Sequence, residues 1–179
     1  SELLGTPDLV VVMDSGAGDY ERLWVTMSLR GLVGGTLRVG VSKEGVHSGM
    51  AGGIIPSSFR ISRALISRIE DEATGEVLLP ELSVDIPDKL RAEAQGIADV
   101  LGENVWTDLP SLEGLEPQTP GLTEIVLSGN WRPSLSITGA DGLPALADAG
   151  NVLRTHTSLK LSMRIPPGVD ADVAEAAMK

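Results

Sequence analysis

The chain contains no cysteine and few aromatic residues: one Phe, one Tyr and three Trp among 179 residues. The lack of cysteine excludes a disulfide framework and any metal site built from thiolates. With so few aromatic side chains, the core has to be aliphatic. The hydrophobic fraction of 42% is ordinary for a globular protein, and the length allows one sizeable domain with its own core.

Basic residues and long apolar runs are also scarce. The chain has 14 Lys and Arg against 25 Asp and Glu, which gives a net charge of −11. This excess of acid argues against general binding to nucleic acid or to an anionic membrane. No apolar run approaches the roughly 20 residues of a membrane span, and the first residues lack the basic start of a secretory signal. We therefore expect no nucleic-acid or membrane partner, and a cytoplasmic location.

The negative charge is concentrated in one part of the chain. Residues 70–116 contain 13 acidic residues and only two basic ones, whereas the remaining residues are balanced. This distribution predicts an acidic, solvated insertion at 70–120 on an otherwise neutral scaffold. An acidic face that binds a partner is the alternative interpretation.

Apolar periodicity predicts the elements of the first half. A continuous apolar run at 9–13 is typical of a strand buried on both faces. Alternating residues at 23–29 predict a half-buried strand. After a glycine-rich bend, the alternation at 36–42 predicts a second strand or a bent continuation of the first. After a glycine-rich loop at 45–53, an amphipathic helix is predicted over 55–70, with an apolar side made by Ile55, Phe59, Ile61, Leu65, Ile66 and Ile69.

In the second half of the chain, the sequence predicts a helix at 87–101 that ends at Gly102 and a final helix at 171–179 capped by Asp170. Between them it predicts strands at 124–128, 134–138 and 157–165. The order of elements favours an α+β fold. The simplest match is a ferredoxin-like two-layer sandwich, with an antiparallel sheet that carries helices on one face and has the acidic helical insertion added to it.

Few residues could carry chemistry. The only histidines are His47, in the glycine-rich loop, and His156, before the last strand. A metal hydrolase needs about three protein ligands and a general base, and no such cluster is visible in the sequence. Four polar residues remain as candidates, and each taken singly is more typical of a turn, cap or salt bridge than of a catalytic or binding site. They are Asp14, His47, Asn151 and Arg164.

Together, several segments resemble one family in order along nearly the whole chain. The family is the zinc exopeptidases that include carnosinase-like dipeptidases, glutamate carboxypeptidases, acetylornithine deacetylase and succinyl-diaminopimelate desuccinylase. The similarity looks closest to the carnosinase-like branch. The segments are residues 8–16, Leu29-Arg30-Gly31, Val46-His47-Ser48-Gly49 with Gly52-Gly53, Trp131-Arg132-Pro133-Ser134-Leu135, Asn151-Val152-Leu153 and Met163-Arg164.

This resemblance implies that the chain is the lid that interrupts a two-zinc catalytic domain and dimerises. Asp14 matches a zinc ligand. His47 matches the histidine that stabilises the oxyanion in the partner subunit's active site. Asn151 matches a polar residue that touches substrate, and Arg164 matches the arginine that binds the substrate carboxylate. Relatives usually have proline where Arg154 stands, which leaves the substrate class open.

The implied organisation is a remnant of the catalytic domain at 1–20 and a lid and dimerisation domain at 21–179. The expected partners are a second copy of the chain, the catalytic domain of the same polypeptide, and a dipeptide or N-acyl amino acid substrate. The two zinc ions belong to the full-length parent, and we expect the isolated chain to bind none and to be inactive. The alternative is a free-standing α+β module that binds or senses a small ligand.

Overall fold

The computed structural model describes residues 5–12 and 16–179. Along the described chain, the strands and α-helices follow in the order β1 (Gly31–Gly40), β2 (Val46–His47), α1 (Ser48–Ala51), α2 (Ser58–Ile66), α3 (Asp88–Leu101), α4 (Asn104–Thr107), α5 (Leu122–Asn130), β3 (Ser134–Asp141), β4 (Val152–Leu153), β5 (His156–Ile165) and α6 (Ala171–Met178). Short 3₁₀ turns lie at Pro80–Leu82 and Leu146–Asp148.

The main sheet has three antiparallel strands in the order β1-β5-β3, so β5 is central. Residues 159, 161, 163 and 165 of β5 are buried, and they alternate with the exposed Lys160 and Arg164. Because directly opposed residues of antiparallel strands share a face, Val33 and Leu135 join Met163 on the buried side. The sheet therefore has one apolar and one polar face, as the alternation in the sequence predicts.

Helices α2 and α6 cover the apolar face. Ser58 at the start of α2 forms a buried hydroxyl–hydroxyl hydrogen bond of 2.8 Å with Thr157 of β5. Ala174 of α6 is fully buried in a cluster with Leu82, Met163 and Ile165. The predicted α+β class, with an antiparallel sheet and helices in a second layer, is confirmed.

A second core lies among the helices of the acidic region. Helices α3 and α5 pack together around Ile86, Ala94, Ala98, Val126 and Leu127. Gly102 ends α3 with a φ of 56°, which a residue with a side chain rarely adopts, and its N–H donates to the carbonyl of Ala98. The helix predicted at 87–101 is confirmed, and so are the strands at 134–138 and 157–165 and the capped helix at the end.

Two predicted strands are wrong. Residues 9–12 form no strand, and their side chains are 67–78% exposed. Residues 23–29 also form no strand, and Met27 is 88% exposed. An apolar run becomes a strand only where another strand supplies hydrogen bonds, and the described residues offer these segments none. Position 13 of the first run lies outside the described residues.

Three further details differ from the sequence prediction. The glycines at 31–35 continue β1 instead of bending it. Residues 124–128 belong to helix α5, because a short apolar run does not distinguish a strand from a helix and α3 offers it a helical partner. Helix α2 buries Ser58 and Ser62 and leaves Phe59 44% exposed, since small side chains let the helix approach the sheet closely.

Candidate functional site

His47 is the last residue of β2 and caps the start of α1. Its Nδ1 accepts a hydrogen bond of 3.1 Å from the backbone N–H of Gly49. A Cβ at position 49 would lie 3.1 Å from the imidazole ring, so glycine there makes room for the ring. Because Nδ1 is an acceptor, a neutral His47 carries its hydrogen on Nε2. The exposed side chain thus presents an N–H donor.

Asn151 lies beside His47. In the two-stranded sheet, His47 pairs with Val152, and the N–H of Ser48 donates to the carbonyl of Asn151 at 2.8 Å. Gly45 lies against the same strand, where a Cβ would approach Val152 to 2.8 Å. The structure therefore brings two of the predicted site residues to one place, and both are exposed.

Arg164 lies at the opposite end of the main sheet. It is on the polar face of β5, opposite Leu32 and Ser134. His47 and Asn151 lie beyond the other end of β5, which begins at His156. An extended strand rises about 26 Å over the eight steps from His156 to Arg164. One copy of the chain therefore does not bring Arg164 to His47.

Asp14, the predicted metal ligand, lies outside the described residues. Among the residues that the structure describes, no group of three or more His, Cys, Asp or Glu side chains could hold a metal ion. The described part of the chain does not make a metal site by itself.

Arg164 has arginine neighbours that the sequence did not single out. Nη1 of Arg30 donates to the carbonyls of Ser128 and Arg132, at 3.2 and 3.1 Å, and to Oγ of Ser134 at 3.1 Å. Ser134 is the residue opposite Arg164 on β3. Arg30 thus ties the end of α5 and the start of β3 to the segment that enters β1.

The charges of these arginines are compensated unequally. Arg132 forms an ion pair with Glu124. Within the described ranges, no carboxylate lies within 4.0 Å of the guanidinium of Arg30 or Arg164. Burial, together with the positive charge of Arg164, lowers the pKa of Arg30 below its ordinary value. Leu29-Arg30-Gly31 contributed to the family resemblance, but sequence reasoning assigned Arg30 no role.

His156 supports the loop that holds Asn151. Its Nδ1 lies 2.9 Å from Oγ1 of Thr155, and its Nε2 lies 3.5 Å from Asp141. The pKa of Asp141 is lowered, mainly by the backbone N–H of Gly142 and then by His156. Nε of Arg154 donates to the carbonyl of Gly142 at 3.1 Å, so Arg154 links this loop to the residue that follows β3.

Residues 27–179 match the model of the peptidase dimerisation domain family. The chain belongs to this family, which is a domain of M20 peptidases. No curated protein sequence matches the chain significantly. None of the helices within the described residues is long and apolar enough to cross a membrane.

Solved structures with the same fold are M20 peptidases. Human carnosine dipeptidase 1 has a TM-score of 0.66 at 22% identity, with 84% of this chain and 32% of that chain covered. The di-peptidase Dug1p of Saccharomyces cerevisiae gives 0.65 at 23%, with 84% and 31% covered. The metallo-carboxypeptidase Sso-CP2 of Sulfolobus solfataricus gives 0.62 at 14%, with 84% and 38% covered. The chain spans about a third of the length of these proteins.

Proposed function

We propose that this chain is the dimerisation and lid domain of a zinc-dependent dipeptidase or related amidohydrolase, and that it is inactive alone. It supplies an oxyanion-stabilising histidine and residues that bind the substrate carboxylate. The family match to the peptidase dimerisation domain supports the general role. The absence of cysteine fits a parent enzyme in the reducing cytoplasm.

The observation that carries the proposal is the separation of the site residues. His47 and Asn151 lie together beyond the start of β5, whereas Arg164 lies about 26 Å along that strand from His156. A dipeptide is far shorter than this distance, so these residues of one copy do not touch the same substrate molecule. In a two-fold symmetric dimer, each active site takes Arg164 from one subunit and His47 with Asn151 from the other.

The local geometry suits the proposed chemistry. The hydrogen bond from Gly49 to Nδ1 leaves Nε2–H of His47 free to donate to a developing oxyanion. The exposed guanidinium of Arg164 can hold a carboxylate through two parallel hydrogen bonds. The exposed amide of Asn151 is available to contact the same substrate from the side of His47. Catalysis then depends on dimer formation and on closure of the lid.

A dimer interface along β1 is compatible with this arrangement. β1 is an edge strand of ten residues, and its outer backbone groups are not paired within the described sheet. Long unpaired edges are natural templates for pairing with another chain. Helix α2 packs against β1 and carries the exposed Phe59 on its outer side. We propose that the edge at 37–41 and helix α2 form the contact between subunits.

The metal site belongs to the rest of the polypeptide in this proposal. Asp14 is proposed as one ligand, and the other ligands and the glutamate base lie in the catalytic domain. Two zinc ions there would activate the attacking water. Since the described residues alone make no such site, the roles proposed for them are substrate binding and oxyanion stabilisation.

The direct test of the catalytic role is His47→Ala in the full-length parent enzyme. Removing one oxyanion donor is expected to lower kcat by about 10²- to 10³-fold. Because His47 is exposed, the free energy of unfolding is expected to change by less than about 1 kcal/mol. Lys89→Ala serves as the control, since Lys89 is exposed on helix α3 and has no proposed contact with substrate. Unchanged turnover of the His47→Ala enzyme would refute the proposal.

A further inference from the structure

We propose that Arg30 is a second anion-binding arginine beside Arg164, and that it directs the enzyme to substrates whose carboxylate-bearing end carries two negative charges. A C-terminal aspartyl or glutamyl residue has this chemistry. The inference rests on the proposed role of Arg164 as the substrate-carboxylate residue, and it adds a determinant of specificity.

The first support is the position of the two side chains. Ser134 links the two arginines at one corner of the sheet. Its Oγ accepts a 3.1 Å hydrogen bond from Arg30, and it is the residue opposite Arg164 on the adjacent strand. Only Nη1 of Arg30 hydrogen-bonds to described residues, so Nε and Nη2 remain as donors. The Ser134 hydroxyl accepts from Arg30 and can still donate its own hydrogen to a ligand oxygen.

The second support is the balance of charge. Glu124 forms an ion pair with Arg132, which lies at this corner, and is 3.8 Å from Arg91. Arg30 forms no ion pair with a carboxylate among the described residues. Its three hydrogen-bond acceptors, two carbonyls and a hydroxyl, are all neutral. A partly buried guanidinium without a counter-ion is costly, and a neighbouring cation adds to the cost. A bound anion removes both penalties.

The third support is stoichiometric. One substrate carboxylate binds one guanidinium in the bidentate manner, and Arg164 takes the α-carboxylate in the proposed function. The charge of Arg30 then remains uncompensated beside the bound substrate. A side-chain carboxylate one or two methylene groups away on the same residue would neutralise it.

The test uses the full-length parent enzyme and matched dipeptides that differ only in this charge: Ala-Asp against Ala-Asn, and Ala-Glu against Ala-Gln. The wild-type enzyme is expected to prefer the acidic member in kcat/KM. Arg30→Met is expected to reduce kcat/KM for the acidic member by about ten- to a hundredfold, the range for a lost hydrogen bond to a charged group. The amide member should change much less, so the ratio between the two should collapse.

Three further variants distinguish a role of Arg30 in specificity from a structural role. Arg30→Lys retains the charge and should keep part of the preference, which a purely structural role in holding α5 and β3 would not predict. Lys160→Met removes an exposed cation from the polar face of β5, four residues from Arg164, and should leave the ratio unchanged. Arg164→Met should weaken both members of each pair.

The outcomes separate the two ideas. If Arg164→Met leaves KM unchanged for all four dipeptides, the proposed function fails. If Arg164→Met weakens binding but Arg30→Met lowers kcat/KM equally for acid and amide, the carboxylate site stands and the role of Arg30 in specificity is overturned. A wild-type enzyme with no preference for the acidic dipeptides would also overturn it.

Discussion

The hydroxyl pair that fixes helix α2 on the sheet allows a quantitative test of the fold. Ser58 is 4% exposed and Thr157 is 0% exposed, and their oxygens are 2.8 Å apart. Ser58→Ala leaves the Thr157 hydroxyl buried without this partner. A buried polar group that loses its hydrogen bond costs about 1–3 kcal/mol, so we expect a loss of that size in the free energy of unfolding.

The double variant measures the interaction energy between the two hydroxyls more directly. Thr157→Val alone should cost a similar amount, because it leaves the Ser58 hydroxyl without the same partner. Replacing both residues removes both hydroxyls, so the combined cost should fall below the sum of the single costs by about 1 kcal/mol or more. Urea unfolding of the chain, followed by circular dichroism, measures all three. The exposed Ser136→Ala is the control and should stay within about 0.5 kcal/mol of the wild type.

Additivity of the two single variants to within about 0.3–0.5 kcal/mol would show that the residues do not interact. The contact of α2 with β5 at this point would then be refuted, and with it the placement of the helix on the apolar face.

Two further predictions concern local stability. Burial raises the pKa of Glu70 above its ordinary value of 4.5. The free energy of unfolding therefore falls as pH rises above about 4.5, where Glu70 ionises more readily in the unfolded chain. Glu70→Gln should raise Tm at pH 7 but not at pH 3. An equal effect at both pH values would contradict burial of the carboxylate as the cause. Asp170 caps α6 by accepting from the N–H groups of Asp172 and Val173 at 2.8 and 3.2 Å. Asp170→Ala should cost about 0.5–2 kcal/mol in unfolding free energy and Asp170→Asn much less, and equal losses would argue against the cap.

The parts of the fold that the sequence predicted are those in which local pattern and tertiary environment agree. β5 alternates because its apolar face packs against α2 and α6 and its other face carries Lys160 and Arg164. Helix α3 ends before Gly102 because this glycine adopts a positive φ, which interrupts the helical repeat. Helix α6 starts at Asp170 because the carboxylate satisfies free N–H groups.

The errors arise where the outcome depends on a partner that a local pattern does not contain. The alternation at 23–29 has the period of a strand, but no described strand pairs with it. The run at 124–128 is too short to show helical periodicity, and its packing on α3 decides its state. Helix α2 turns two serines to the sheet, which apolar periodicity does not predict.

The candidate site was predictable only in part for the same reason. The resemblance indicated His47, Asn151 and Arg164, and the pairing of β2 with β4 brings the first two together. The separation of Arg164 from them depends on the register and length of β5, which spacing along the chain does not reveal. The role proposed for Arg30 depends on contacts with residues about a hundred positions away in sequence.

The most direct test of the proposed function is complementation between two inactive variants of the full-length parent. His47→Ala and Arg164→Met are purified separately, mixed under conditions that allow subunits to exchange, and assayed with a dipeptide. If each site takes His47 from one subunit and Arg164 from the other, a mixed dimer has one intact site and one site with both defects. With random exchange, about half of the dimers are mixed, so activity should rise to about a quarter of the wild-type value. If activity stays at the level of the separate variants although the subunits have exchanged, the shared-site account is contradicted.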